Sequence, residues 1–477
     1  MYSLLPFRFL PRGNQVLVVN FVGDYKLISV EDFSRLLSCR LSESDDIFLD
    51  LQGMQIISSG DVETDIEILS TRYRSKKAFL NDFTMLHMVV TTLRCNQQCR
   101  YCHATAKRED DSSHNFDMTP EIATKTAEMI MRTPSPCIKV EFQGGDSSLN
   151  LPIVRLIVEK VSELNKVTKK DVEFVICTNL LHIDSAELDF LRLHKFSVSI
   201  SLDGPKFIHD ANRIDCADRG TYDTVVANIA KAREYVGYDH VGALMTAAKA
   251  SIGHFPEIVD EYVRRGFDQI VFRALNPYGR CITNWDSIGY PIEDFIASFK
   301  EGIEHIIDLN RKGVRIMEGY SRLLLSRMLT SYPTGYVDLQ SPAGAGISGV
   351  IYDYDGRIYA CDEGRMLSEM GDEKLCLGDV RDDYQKVFNG ETLRDIIRNS
   401  IVETIPMCHD CAYRIWCGAD PARHYATQHD FIGHKATSDF CKRHRAIFDF
   451  LIDKLEQDDE TRNILFSWIG GRREVTL

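Results

Sequence analysis

The chain has 477 residues and no apolar run that approaches the ~18 residues of a membrane-spanning helix, so no membrane association is expected. It has no surplus of positive charge: 56 Lys and Arg stand against 70 Asp and Glu, a formal net charge of −14. That balance argues against a general nucleic-acid or anionic-membrane surface. The start, Met1 to Arg8, has neither the long apolar region nor the small-residue cleavage site of a signal peptide, and a cytoplasmic, reducing location is expected. There is no internal repeat and no low-complexity segment. Tryptophan is scarce at 3 residues, whereas cysteine is plentiful at 14. In a reducing compartment so many cysteines serve as metal ligands or small buried hydrophobes rather than disulfides. Hydrophobic content of 44% and charged content of 26% are those of a globular protein, and the length calls for two or three domains.

The cysteines are not scattered evenly. Cys95, Cys99 and Cys102 form a C-x3-C-x2-C loop directly after the apolar run Leu86 to Val90, which reads as a buried strand. Three thiolates in one short loop can hold three irons of a [4Fe–4S] cube and leave the fourth without a protein ligand. An open metal position is where a substrate or cofactor binds. Zinc, with His103 as a fourth ligand, and disulfides are the other readings of the same residues.

Along the chain, residues 1–80 alternate apolar and polar positions and then turn helical, with Ser29 as an N-cap before Val30-Glu31-Asp32. This predicts a small α+β module. It could grip a leader peptide by strand addition, or it could be a structural cap. Residues 81–335 alternate strand and helix, with strands expected at 86–91, 137–142, 172–177, 195–201, 240–246 and 268–273. Six βα units predict an α/β fold, a partial (β/α)6 TIM-like barrel with its chemistry at the C-terminal strand ends. Those ends carry polar residues. Gly144-Gly145-Asp146 follows the second strand, where two glycines allow close approach of a ligand and the acid can receive an ammonium. Asn179 ends the third strand, Ser201 the fourth, and Arg213 lies shortly after it; Ser-Leu-Asp-Gly-Pro at 201–205 alone would be an ordinary turn.

A second cysteine field lies in residues 336–450, followed by a C-terminal helix end and tail over 451–477. Cys408, Cys411 and Cys417 make C-x2-C-x5-C, and Cys441 is downstream. Four thiolates would saturate a second [4Fe–4S] cluster; a zinc knuckle is the alternative. Asp420-Pro421 reads as an N-cap followed by proline at N1, and Cys361 and Cys376 could be isolated core thiols. Cys39, Cys137, Cys177, Cys216 and Cys281 lack metal-like spacing and are expected to be mostly buried.

The first loop, with Tyr101 before its last cysteine, resembles the cluster loop of the radical S-adenosylmethionine (SAM) superfamily. Gly144-Gly145-Asp146 resembles that family's Gly-Gly-Glu, with the acid one methylene shorter. The resemblance implies that SAM binds the open iron and that one electron splits it to a 5′-deoxyadenosyl radical. It also implies SAM contacts from Tyr101, Gly144, Gly145, Asp146, Asn179, Ser201 and Arg213. The second field resembles the SPASM extension of peptide-modifying members. That pattern normally holds two auxiliary clusters, but here two of its cysteine places are empty, at Ser341–Gly346 and at Asp420. Two clusters in all are therefore expected, and a third would have to draw on Cys361, Cys376 and Asp420. Leu5-Pro6-Phe7-Arg8-Phe9 and Cys417-Gly418-Ala419-Asp420-Pro421 look like the His-Xaa-Ser system maturases. Such a resemblance implies a ribosomally made precursor peptide as substrate, an electron donor, a second radical SAM protein as partner, and an intrapeptide crosslink as product. Formylglycine formation, as in sulfatase maturation, is the second reading; a degenerate barrel that binds or delivers a peptide without cleaving SAM is a third.

Overall fold

Alternation in the first strands decides how the N-terminal residues sit. The computed structural model describes residues 2–332 and 334–470. β1 (Phe7–Arg12), β2 (Gln15–Asn20) and β3 (Tyr25–Ser29) form an antiparallel sheet. Successive side chains on a strand point to opposite faces. Val16 and Val18 therefore enter a small core with Tyr2, Ile28, Leu36 and Phe48, while Leu17 and Val19 enter the main core of the molecule. A turn at Gly23-Asp24 joins the second and third strands: Asn20 Oδ1 accepts from the backbone N–H groups of Val22, Gly23 and Asp24, and Gly23 has φ +98°. Ser29 caps the following helix by accepting from Asp32 N.

This sheet rests on the second cysteine field. The fully buried Trp416 donates its indole N–H to Gly23 O at 3.2 Å. Arg12 pairs with Asp449 at 3.0 Å and Asp453 at 2.9 Å, and Arg8 Nε donates to His409 O at 2.9 Å.

The centre of the molecule is a nine-stranded mixed sheet. Six parallel strands follow in chain order: β4 (Leu86–Thr92), β5 (Cys137–Gly144), β6 (Asp171–Thr178), β7 (Ser197–Ser201), β8 (Val241–Thr246) and β9 (Phe272–Arg273). They are apolar because parallel strands are covered on both faces; Val89, Val90, Val140 and Phe142 are inaccessible. The intervening helices begin and end at local signals. Thr119 Oγ1 accepts from Ile122 N with Pro120 at the first turn, and Gly266, at φ +72°, follows the helix Phe255–Arg264.

The sixth expected strand, 268–273, is broken at Val271. Gln269–Ile270 pairs with Met317–Glu318, and only β9 continues the large sheet. The buried Glu318 accounts for the break: its carboxylate accepts from Phe272 N and also caps the helix Gly319–Leu329 through Tyr320 N and Ser321 N.

Beyond residue 335 the chain returns to the same sheet. β10 (Gly349–Tyr352) lies parallel to β4, and β11 (Arg357–Tyr359) and β12 (Cys376–Asp379) extend it antiparallel. The helices Asp439–Gln457 and Asp459–Gly470 end the described chain; the expected tail after 470 lies outside the described residues.

Glu403 ties three segments together. Its carboxylate accepts from Lys77 Nζ at 2.9 Å, Ser341 Oγ at 2.5 Å and the Tyr73 hydroxyl. Burial pushes its carboxyl up, but the Lys77 ammonium and the two hydroxyls outweigh burial, and it falls to about 2. A carboxyl lowered in the fold stabilises it above the unfolded value and loses that contribution as pH falls toward the folded one. Glu403→Gln should therefore remove a contribution of about 3 kcal/mol that the wild type holds at pH 7 and loses between about 4.5 and 2. Urea unfolding across that range should show the two proteins converging at low pH; parallel curves would contradict it.

Candidate active site

The cysteine loop is fixed at its entry by charge and at its flank by close backbone contact. Thr92 Oγ1 donates to Asp117 at 2.7 Å, and Arg94 grips the same carboxylate with Nε at 2.9 Å and Nη2 at 2.8 Å. The glycine pair passes directly against the loop: Gly145 N donates to Thr92 O and Asp146 N to Arg94 O, both at 2.9 Å. A Cβ on Gly145 would meet Arg94 O at 2.2 Å, and one on Gly144, where φ is +122°, would meet Val90 at 2.5 Å. The two glycines are thus required by backbone proximity.

Within the loop, Cys95 Sγ faces Gln97 N at 3.4 Å and Asn179 Nδ2 at 3.6 Å, while Cys99 Sγ faces Arg213 Nη1 at 3.6 Å. Burial raises both thiols, Cys99 to about 11 although Arg213 opposes the rise, and the neighbouring thiols raise them further. Buried thiols in such a group keep their protons unless a cationic centre takes the thiolates. Burial lowers His103 to about 3, so its ring is neutral, and its Nε2 accepts from Asn276 N at 3.2 Å. That occupies the nitrogen a zinc reading would use. Among the described residues, no three His, Cys, Asp or Glu side chains converge as a single metal ion requires.

Beneath the loop sits a residue whose importance the sequence hides. Asp203, fully buried, accepts from the Tyr101 hydroxyl at 2.6 Å, Arg213 Nε at 3.1 Å, Asn212 Nδ2 at 3.2 Å and Thr246 N at 3.2 Å. The guanidinium of Arg213 also lies over the Tyr101 ring, 5.2 Å from its centroid. From sequence, 201–205 looks like a turn, and the turn signal of Gly204-Pro205 masks the acid before it.

The remaining expected contacts converge on the same strand ends. Asp146 is buried and accepts from Ser148 N and Oγ, Thr178 Oγ1 and Asn179 N. Its four lone-pair sites are thereby committed within the fold. Asn179, held by that carboxylate, donates to Asn96 Oδ1 at 2.7 Å. Ser201 is half-buried at the end of β7.

Cys408, Cys411, Cys417 and Cys441 lie within electrostatic reach of one another. Burial raises Cys408, Cys411, Cys417 and Cys441, Cys408 to about 11, and the other thiols of the set reinforce Cys408, Cys411 and Cys417. The buried Lys435 is within electrostatic reach of Cys408, Cys441 and Cys417. Asp420 caps the helix Pro421–Gln428, accepting from Arg423 N at 2.9 Å. Cys361 is buried near Glu363, Asp420 and Asp338, whereas Cys376 Sγ faces Gly378 O at 3.7 Å among Arg357, Glu373 and Asp355. Of the other cysteines, Cys281 is buried, Cys137, Cys177 and Cys216 are half-buried, and Cys39, against expectation, is exposed on a residue with φ +54° after a helix end. All fourteen are unpaired.

A cavity of about 520 Å³ adjoins the glycine turn at Gln143 and extends past Arg273 and Asn276 to Glu363 and Asp420.

A strand-end cysteine loop thus packs on a glycine turn, on sequential parallel strands close to a cavity. Residues 89–271 match the model described as Radical SAM superfamily, so this part of the chain is a radical SAM domain. The family implies SAM and a [4Fe–4S] cluster. A cysteine-type anaerobic sulfatase-maturating enzyme of Clostridium perfringens is 22% identical over 375 residues, 76% of this chain and 94% of the relative. An uncharacterised protein of Archaeoglobus fulgidus is 26% identical over 381 residues, 78% and 82% of the two chains. In fold, the chain resembles anSMEcpe with bound AdoMet (TM-score 0.65, 18% identity, 80% of this chain and 99% of the other). It also resembles Streptococcus suis SuiB bound to precursor peptide SuiA (TM-score 0.53, 14% identity, 93% and 100%). No helix of the described residues is long and apolar enough to cross a membrane.

Asp203→Ala should leave the Arg213 guanidinium buried without its partner, which costs about 3–5 kcal/mol. Chemical denaturation of the variant should show a loss of that size; a loss below about 1 kcal/mol would show the pair to be solvated.

Proposed function

We propose that the chain is a radical SAM peptide maturase, most like the His-Xaa-Ser system enzymes, that installs an intrapeptide crosslink in a ribosomally made precursor. The observation that carries the proposal is the cysteine loop locked against the glycine turn, whose preceding residue Gln143 lines the cavity. The donor set suits an iron–sulfur cube with one open iron: three thiols in one loop, and the nearest imidazole already engaged. Cys95, Cys99 and Cys102 would hold that cluster, and Cys408, Cys411, Cys417 and Cys441 a second. The set Cys361, Cys376 and Asp420 supports a third poorly, because Asp420 serves as a cap and Cys376 faces away. When bound, cluster and SAM together supply a 5′-deoxyadenosyl radical for hydrogen abstraction from a substrate carbon.

The chain's own residues prepare the place for that chemistry. Asn179 and Arg213 aim donors at Cys95 and Cys99, which favours thiolate and steadies the loop. Gly144 and Gly145 present backbone where a side chain would block approach. With Asp146 bonded to Ser148, Thr178 and Asn179, its part is to hold Asn179 in position. Tyr101 and Ser201 complete the proposed SAM surroundings. A carbon radical formed in a cavity with apolar walls is shielded from water. A second cluster held by Cys408, Cys411, Cys417 and Cys441 would supply an electron acceptor, and an external donor and a second radical SAM protein are proposed partners. The N-terminal module would engage the precursor's leader. Precursor peptide bound to SuiB supports the peptide reading. The sulfatase-maturating relatives, covered over 94% of their length, favour formylglycine formation as the second reading.

Changing Cys95, Cys99 and Cys102 together to Ala should abolish deoxyadenosine formation from SAM by the reduced, reconstituted protein. Retained formation would overturn the proposal. Iron should approach about eight per chain, four per cube, and fall by about four in Cys411→Ala while staying unchanged in Cys361→Ala.

A further inference from the structure

The far end of the cavity is built of acids. Asp338, Glu363 and Asp420 line it together with Cys361 and Tyr278. No ion pair of 4.0 Å or less joins any of the three carboxylates to a cation among the described residues. Arg273, Arg423 and Arg443 also line the cavity without such an ion pair to the three acids; Arg423 donates to Asn276 Oδ1 at 2.8 Å, and Arg443 lies over Phe440. Burial, then the mutual repulsion of the acids, push Asp338 and Glu363 up, Glu363 to about 7, and the through-space effect of Arg273 and Arg443 does not cancel that rise.

A second observation points to a missing ligand. Tyr278 is inaccessible, yet its hydroxyl has no hydrogen-bond partner, and the charges that act on it most are Asp420 and Glu363. A buried hydroxyl without a partner is uncommon and costs about 1–3 kcal/mol. Another cavity-lining group, Gln143 Nε2 beside the glycine turn, is likewise without a partner. Unsatisfied polar atoms at both ends fit a cavity shaped for an extended polar ligand.

We infer that the acidic end of the cavity is a cation subsite that takes a lysine or arginine side chain of the substrate peptide, with the carboxylates of Asp338, Glu363 and Asp420 and the hydroxyl of Tyr278 as its acceptors. An ammonium brings three donors and a guanidinium five, which suits several acceptors converging on one point. The subsite would fix which residue of the peptide lies next to the cysteine loop, because Asn276 spans the interval: its Oδ1 accepts from Arg423 and its N–H donates to His103. The inference rests on the reading of this cavity as the peptide's site.

The test is isothermal titration of full-length, anaerobically reconstituted protein with Nα-acetyl-lysine methylamide, Nα-acetyl-arginine methylamide and the uncharged Nα-acetyl-norleucine methylamide. A cationic probe should bind about ten-fold or more tightly than norleucine. Glu363→Gln and Asp338→Asn should each erase most of that preference, and Tyr278→Phe should reduce it. Equal binding of lysine, arginine and norleucine probes by the wild type would overturn the inference without need of any variant. So would a preference that survives both carboxylate variants, or occupation of the three acids by a divalent metal with no discrimination among probes. Deoxyadenosine formation by the wild type is measured alongside: its absence sinks the proposed activity, whereas its presence without probe discrimination sinks the cation subsite alone.

Discussion

The site depends on a buried ion pair. Asp203 and Arg213 have almost no access to water, and their side chains meet at 3.1 Å. Taking both charges out of water is costly, and only good geometry with further hydrogen bonds compensates for it. Those bonds come from Tyr101 in the cysteine loop, Asn212 in the segment after β7, and Thr246 at the end of β8. One carboxylate therefore sets the relative positions of the loop and two strand ends, and it holds a guanidinium 3.6 Å from a cysteine sulfur. The same low dielectric that makes the pair costly also makes its orienting power large.

A second constraint joins the chain's ends. Leu17 and Val19 of β2 belong to the same core as Trp416 and Phe448, and the salt bridges of Arg12 reach the helix that carries Cys441. The N-terminal module and the second cysteine field thus share buried surface, and the field's loop cannot move far without opening that core. A peptide held by the module would be held by a part of the molecule already fastened to the second set of thiols. β10 to β12 make the same point from the other side, since they extend the sheet that begins with the strand feeding the first cysteine loop.

Much of this was legible in the sequence because it obeys local rules. The strands of the central sheet are short apolar runs with glycine or polar ends, and five of the six are found where periodicity places them, within two residues at each end. The cysteine spacings carry the proposed metal chemistry, and Asp420 before Pro421 announces its cap. What could not be read depends on contacts between distant segments. Asp203 sits in a turn-like stretch, and nothing local reveals that Tyr101 and Thr246 will bond to it. Glu318 breaks the sixth strand from 46 positions away. Nothing local to Asp146 shows that Thr178 and Asn179 will bond to its carboxylate. Asp338, Glu363 and Asp420 are far apart in the chain and become one acidic wall only on folding.

The central claim is that the loop of Cys95, Cys99 and Cys102 carries a cube with an open iron that SAM occupies. Electron paramagnetic resonance of the dithionite-reduced protein, recorded without and with SAM, tests it most directly. A reduced-cluster signal whose g-values change when SAM is added, and change equally in Cys411→Ala, is the predicted result. A spectrum that SAM leaves untouched, or a response that vanishes with Cys411, would contradict the account.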